Sequence, residues 1–294
     1  MQFGVALPHF GRLASREAVL TLGREAETLG FDSIWTTDHV LMAADQPEPY
    51  GSILEASMTL AYLAAVTERV RLGTSVIVLP QREPVLVAKQ AATLDVLSNG
   101  RLTLGVGAGW NEREFGFLGA NFRNRGRRFD EYIQAMRTLW SAPDPHFDGQ
   151  FVHFNNVSFQ PRPVQPGGPP IWLGGGSEAA LRRAATLCDG WHATGATVDE
   201  FATGMRTIRA LATDRKVVGS VRMRATVGGT LPEQRSARGA AQAQLSGSRE
   251  EVVDRIQAYA AAGADELVLS FGAANVNANL ADMRHFAEQV SSRM

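Results

Sequence analysis

Apolar positions along the chain alternate between two spacings. Short continuous runs of Val, Ile, Leu, Phe and Trp are each followed by a stretch in which apolar residues recur every three to four places, the marks of buried strand and amphipathic helix. "QFGVAL" reads as a first strand broken by Pro8, and "SREAVLTLGREAETLG" as a helix capped by Ser15 and stopped by Gly30. "SIWTTD" is the second strand; "SILEASMTLAYLAAV" is the second helix, opening on a capping box of Ser52 and Glu55. "RLGTSVIVL" and "PVLVAKQAATLDVLS" form the third pair, with Pro84 starting the helix and Asn99-Gly100 closing it. "RLTLGVG" is the fourth strand.

A long excursion follows, from about residue 116 to 168. It holds one helix, "RRFDEYIQAMRTLW", and a proline-punctuated stretch, "QFVHFNNVSFQPRPV", which predicts a β-hairpin turning at Asn155-Asn156. Alternation resumes with "PIWL" and "SEAALRRAATL", then "GWHAT" and a helix boxed by Thr197 and Glu200. "SVRMRATV" is the seventh strand. Beyond the polar linker "PEQRSARGAAQAQLSG", Ser248 and Glu251 cap "REEVVDRIQAYAAAG"; "ELVLSF" and "LADMRHFAEQV" close the series. Eight βα units without a flexible linker predict a single-domain (β/α)8 TIM barrel over 1–294, with the excursion and its hairpin inserted between strands 4 and 5. A doubly wound open sheet is the alternative, since strand order cannot be read from sequence.

Composition narrows the function classes. The 294 residues carry 29 basic and 30 acidic side chains for a net charge of -1, which disfavours nucleic acid and anionic membrane as partners. The single cysteine, Cys188, excludes an intramolecular disulfide and reads as a small buried hydrophobe. "MQFGVALPHF" lacks the pattern of a signal peptide, and "MTLAYLAAV" is too short to span a bilayer, so the expectation is a soluble, cytoplasmic protein.

In such a barrel the working face lies at the carboxyl ends of the strands. The chemically unusual residues fall there: His9 and Phe10 after strand one, Asp38 and His39 in "TTDHV" after strand two, Gln81 and Arg82 after strand three. Strand four leads into "GAGWNE", strand five into "GGGS", strand six into "HATG", and strand eight into "SFG", which contains Phe271. In "LGGGSEAALRRAA", the N–H groups of Gly174, Gly175, Gly176 and Ser177 suit a phosphate at a helix N-terminus. Gly174, Gly176 and Ala179 also satisfy a dinucleotide fingerprint, although too few units follow for a dinucleotide domain; a merely tight turn is the bland reading. Gly107, Ala108, Gly109 and Trp110 offer either close approach to a flat ligand or a glycine-rich turn with a packing tryptophan. Arg123, Arg125, Arg127 and Arg128 form a basic run suited to a solvated helix entry or to a polyanionic tail. The histidines, at 9, 39, 146, 153, 192 and 285, show no metal-ligand spacing, and no nucleophile elbow is present. These features suit an organic cofactor that carries the reactive atom.

Nearly end to end, the chain resembles the luciferase-like monooxygenase superfamily, in particular its oxidoreductases that use the deazaflavin coenzyme F420. The resemblance rests on "FGVALPHFG", "LGFDSIWTTDHV", "RLGTSVIVLPQREPVLVAKQAATLDVLSNGRLTLGVGAGWNEREF", "GRRFDEYIQAMRTLW", "PPIWLGGGSEAALRRAA", "DGWHATG" and "GSREEVVDRIQAYAAAGADELVL". It implies a homodimeric barrel whose flavin-type ring lies across the strand ends, and a non-prolyl cis peptide at Ser75-Val76 behind the ring. It implies that His39 exchanges a proton with the substrate, while Asp38 hydrogen-bonds the ring or fixes the loop. Residues 107 to 110 would run beside the cofactor side chain, and Gly174 to Ser177 would hold its phosphate. His192 and Gly195 would complete the wall, with His9, Phe10, Trp110, His192 and Phe271 around the substrate. The loop "LMAADQPEPYGS" is shorter than in many relatives and leaves the substrate open; with few lysines, a sugar-phosphate substrate is disfavoured. The alternatives are a monooxygenase fed reduced FMN by a separate reductase, and a non-catalytic flavin-binding sensor.

Overall fold

The protein is described from a computed structural model, which places residues 1–235, 239, 241–272 and 275–290. Eight parallel strands form a closed ring: β1 (Gln2–Ala6), β2 (Ser33–Thr36), β3 (Arg71–Thr74), β4 (Leu102–Gly107), β5 (Ile171–Gly174), β6 (Gly190–Thr194), β7 (Val218–Ala225) and β8 (Glu266–Ser270). Each pairs with the next, and β8 pairs back onto β1 through Gln2 opposite Glu266, so the closed barrel holds and the open sheet does not. The helices outside it are α1 (Arg16–Thr28), α2 (Ala56–Ala64), α3 (Pro84–Leu97), α4 (Glu112–Phe117), α5 (Arg125–Ser141), α6 (Glu178–Leu187), α7 (Val198–Leu211), α8 (Arg249–Ala261) and α9 (Val276–Gln289). Among the described residues no helix is long and apolar enough to cross a membrane.

Local chemistry explains most boundaries. Ser15 caps α1, and Thr197 with Glu200 and Ser248 with Glu251 form both halves of their capping boxes. The Ser52 box does not form: α2 starts later, and Glu55 is itself the cap, accepting Met58 N–H at 2.6 Å. A hairpin does lie between β4 and β5, but it pairs Phe147–Asp148 with Phe154–His153, so it turns at 149–152 rather than at Asn155-Asn156. The reason is tertiary. Glu131 on α5 accepts the N–H groups of Gln150, Phe151 and Val152 within 2.9 Å and so fixes that turn. Part of the linker between β7 and α8 lies outside the described residues.

Two apolar layers result. The larger lies between strands and helices and contains Cys188, whose thiol burial pushes up to about 12. The smaller fills the barrel with Trp35 and Trp172, joined by Ala6 and Val268. Glycine makes room for these indoles: a Cβ on Gly73 would strike Trp35, and one on Gly190 would meet Trp172 at 2.6 Å.

A buried polar column accompanies the indoles. Ser33 donates its hydroxyl to Glu266 and accepts Trp35 Nε1 at 2.6 Å; Trp35 stacks on His192 at 4.8 Å. Burial, opposed by Ser33, Trp35 and Arg71, pushes the Glu266 carboxyl up to about 7. An acid that keeps its proton longer when folded gives stability that is full below its unfolded value, near 4.5, and lost as pH rises through the folded value. Urea denaturation should therefore show roughly 2–3 kcal/mol lost to this group between about pH 5 and pH 8. Glu266→Gln, which keeps an acceptor for Ser33, should flatten that slope and be the more stable protein at the alkaline end. An unchanged slope would mean that the carboxyl is not held neutral.

Candidate active site

β2 ends at Thr36, and the next residues turn apart at the barrel mouth. Asp38 points back into the protein. Its Oδ1 accepts Arg82 Nη2 at 2.7 Å and its Oδ2 accepts Val78 N–H at 2.9 Å, which ties the end of β2 to the segment after β3. Burial raises this carboxyl, against the pull of Arg82. Of the two roles expected for Asp38, fixing the loop is the one these bonds perform.

His39 turns the other way. Its Nδ1 lies 3.0 Å from Glu114 Oε2, and the other Glu114 oxygen accepts Val40 N–H at 2.7 Å and Leu41 N–H at 3.3 Å. Glu114 is 1% exposed; burial raises its carboxyl, but the hydrogen bonds from His39 and Val40 outweigh this and leave it below the usual range. An ionised carboxylate only accepts, so a neutral His39 carries its proton on Nδ1. Its Nε2 has no protein partner among the described residues. Tyr50 stacks on the imidazole at 4.6 Å, and Trp110, 48% exposed, meets it edge-on at 5.9 Å.

Three loops build this wall. Phe10 packs edge-on against Tyr50 at 5.2 Å, and Gly11 N–H to Ser52 O joins the loop after β1 to the loop after β2. α4 clamps that second loop from the opposite side: beside Glu114, Arg113 reaches Asp45 at 2.8 Å. Asn111 caps α4, aiming its first turn at the mouth.

The Ser75-Val76 peptide is cis, as the resemblance implied, and lies between β3 and the short strand Ile77–Val78. Val76 explains the neighbouring glycines. A Cβ on Gly107 would come 2.8 Å from Val76 Cγ2, and one on Gly174 would come 3.1 Å from both of its methyls. Gly109, with φ +83, faces Val78 and Phe115 in the same way. These glycines seat protein side chains; they do not leave a gap for a ligand at their own Cα.

The turn after β5 is open. Gly175 has φ +111, and its carbonyl oxygen accepts Trp191 Nε1 at 2.7 Å. In a trans peptide the Gly176 N–H then points away from Trp191. Gly176 is exposed with nothing within 4 Å of an added Cβ, and Ser177 caps α6. This is a ready anion cradle. The arginine run lies near it: Gly126 abuts the Arg183 guanidinium of α6, and Arg125 Nε reaches Gly109 O at 3.3 Å. Arg125 also stacks on Phe122, and Arg128 bonds Tyr132, whereas Arg123 and Arg127 are exposed.

Several expected wall residues lie elsewhere. His192 is 0% exposed inside the barrel, with Nδ1 3.0 Å from Ser220 Oγ and Nε2 2.8 Å from Ser75 Oγ; burial takes it down to about 3, so it is neutral. Phe271 packs on Phe31 and Phe286 beneath α9. His9 is 1% exposed between the carbonyls of Leu7 and Thr37, and burial lowers its pKa. Gly195 is buried against Gln242. Phe10, His39, Trp110 and the 174–177 turn therefore remain at the mouth.

Three site residues went unread in the sequence: Tyr50, Glu114 and Arg222. Tyr50 sits in a proline-rich loop, and Glu114 is one of two acids in "NEREFG", where only packing singles one out. Arg222 projects from the interior face of β7, and an arginine inside an apolar strand was the available signal. Its Nη1 donates to Thr37 Oγ1 at 2.8 Å and to the Ser75 carbonyl at 2.9 Å.

Residues 1–231 match the family model described as luciferase-like monooxygenase. An uncharacterized protein of Mycobacterium tuberculosis (strain ATCC 25618 / H37Rv) is 34% identical over 226 residues, 72% of this chain and 73% of that protein. The FMNH(2)-dependent dimethylsulfone monooxygenase of Pseudomonas fluorescens (strain Pf0-1) is 35% identical over 153 residues, but the match spans only 51% of this chain and 41% of that enzyme. Among solved structures, monooxygenase RslO1 from Streptomyces bottropensis superposes with a TM-score of 0.82 at 23% identity, covering 100% of this chain and 99% of that one. An F420-dependent secondary alcohol dehydrogenase in complex with an F420-acetone adduct gives 0.82 at 17% identity, with the same coverage. At these identities the structural likeness is one of fold. The family match, covering most of the chain, goes further: this protein belongs to the luciferase-like monooxygenase family.

Proposed function

We propose that the protein is an oxidoreductase moving a hydride between coenzyme F420 and a small organic substrate, with His39 exchanging the accompanying proton. The observation that carries this reading is the His39–Glu114 pair: it fixes the imidazole at the mouth with Nε2 uncommitted, between Tyr50 and Trp110. The donors present suit a flavin-type group with an anionic tail. Gly176 and Ser177 would hold its phosphate at the open start of α6, Val76 would lie under its ring, and the exposed Arg123 and Arg127 would meet negative charge farther out. Bound deazaflavin supplies a hydride donor or acceptor. The chain's own residues orient it, shield one side with aromatic rings and move the proton.

A second reading, a monooxygenase using reduced FMN, is favoured by the similarity to the dimethylsulfone monooxygenase. Fluorescence titration of the protein with F420 and with FMN separates the two. Micromolar binding of F420 with FMN weaker by about tenfold or more supports hydride transfer, and the reverse order supports the monooxygenase.

Two variants test the proton-transfer role. His39→Asn should lower kcat by about 10²–10⁴-fold on a panel of small alcohols, ketones and activated alkenes while leaving cofactor affinity within about threefold. An unchanged kcat removes the role.

Glu114→Gln places an amide N–H opposite His39 Nδ1, so the neutral imidazole keeps that bond only by moving its proton to Nε2. Long-range ¹H–¹⁵N correlation of the His39 ring should report the tautomer change, and kcat should fall by roughly 10²-fold or more. A wild-type ring already protonated on Nε2 would contradict the assignment.

A further inference from the structure

Among the described residues the acids of the mouth have side-chain partners, and Arg222 is not one of those partners. Asp38 takes Arg82, Glu55 lies 3.7 Å from the same guanidinium, and Glu114 takes His39. Arg222 has no ion pair among the described residues. Its Nη1 donates to Thr37 Oγ1, Ser75 O and, at 3.2 Å, Ser75 Oγ, and its Nε reaches Ser270 Oγ at 3.5 Å. All of these acceptors are neutral, so they orient the fork without cancelling its charge.

Half of that fork is uncommitted. Nη2 makes no protein hydrogen bond among the described residues, and it is not one of the buried atoms sealed in without a partner. A purely structural role, bracing β2 and β3 from β7, accounts for Nη1 and Nε but not for Nη2. A half-buried guanidinium offered only neutral acceptors has donor capacity left for an entering anion, with which its hydrogen bonds would be charge-assisted. The guanidinium also lies close to the pair, because Thr37, which Nη1 grips, is two residues from His39, whose ring stacks on Tyr50.

We infer that Arg222 is the anion-recognition site of the mouth, binding through Nη2 an anionic oxygen of the molecule that reacts beside His39. The proposed reaction enters only in the words "reacts beside His39"; the anion site stands on the unpaired fork. Two sources share this chemistry: a carboxylate or sulfonate type of group on the substrate, and the oxygen edge of the reduced cofactor ring.

The experiment has two arms. In the first, acetate and its neutral isostere acetamide are titrated by calorimetry into the cofactor-free protein and its Arg222→Gln and Arg222→Lys variants, with circular dichroism reporting folding. A substrate-borne oxygen gives acetate binding about tenfold tighter than acetamide, a preference lost in Arg222→Gln and partly kept in Arg222→Lys, which retains the charge but not the fork. In the second, oxidised and reduced F420 and FMN are titrated anaerobically into the same proteins. A ring-borne oxygen makes Arg222→Gln weaken the reduced form about tenfold more than the oxidised form, with no acetate preference in any protein. Either result supports the site and names the source.

Equal affinities for acetate and acetamide, together with equal losses for oxidised and reduced cofactor, overturn it. If Arg222→Gln does not fold, Arg222→Lys decides: a loss of about threefold or more in either arm supports the site, and wild-type behaviour in both arms overturns it. A wild-type protein that prefers acetate but binds neither cofactor refutes the proposed reaction and leaves the anion site standing.

Discussion

The mouth of this barrel depends on one buried carboxylate. Glu114 accepts from an imidazole and from two consecutive backbone N–H groups, so it fixes both the His39 ring and the chain that carries it. Without that acceptor, the Val40 and Leu41 N–H groups would lose the bonds that hold this exposed stretch of loop to α4. The loop would then be free to take Tyr50 off the imidazole. Proton position, ring orientation and aromatic wall are thus set by a residue from a different βα unit, and they rest on the closure that brings β2 beside β3 and β3 beside β4.

A second constraint shapes the floor. The barrel interior is polar where one would expect only apolar layers, yet its groups are nearly all neutral. His192 is deprotonated by burial and satisfied by two serines, and Glu266 is held toward its protonated form. Neutrality is what allows such groups to sit against Trp35 and Trp172, because a charge there would face low-dielectric rings. Ser75 is where this interior meets the mouth. One hydroxyl contacts His192 below and Arg222 above, so the residue preceding the cis peptide is held from both sides.

Much of this architecture was legible because its causes are local. Apolar spacing, N-caps at Ser15, Thr197 and Ser248, and the Asn99-Gly100 stop act within a few residues of the elements they define. What sequence reasoning misplaced was decided across the fold. The hairpin turns where Glu131 supplies acceptors, not where two asparagines suggest it. Gly107 and Gly174 have a packing reason the sequence could not display, since a Cβ on either would press on Val76. Phe271 and His192 do follow or belong to barrel strands, but one faces outward under α9 and the other inward to the axis, and a strand-end position does not distinguish mouth from core.

The charges at the mouth show why the division between neutral interior and ionic rim matters for chemistry. Asp38, after β2, and Glu114, on α4, are both buried acids, yet they serve opposite ends. Asp38 spends both oxygens inward on Arg82 and Val78, removing its charge from the cavity, while Glu114 turns its charge toward His39. By engaging Asp38, Arg82 leaves His39 with Glu114 as its acidic partner, while Arg222 has no ion pair among the described residues. That asymmetry leaves an imidazole tied at Nδ1 by a carboxylate and a guanidinium that meets only neutral acceptors.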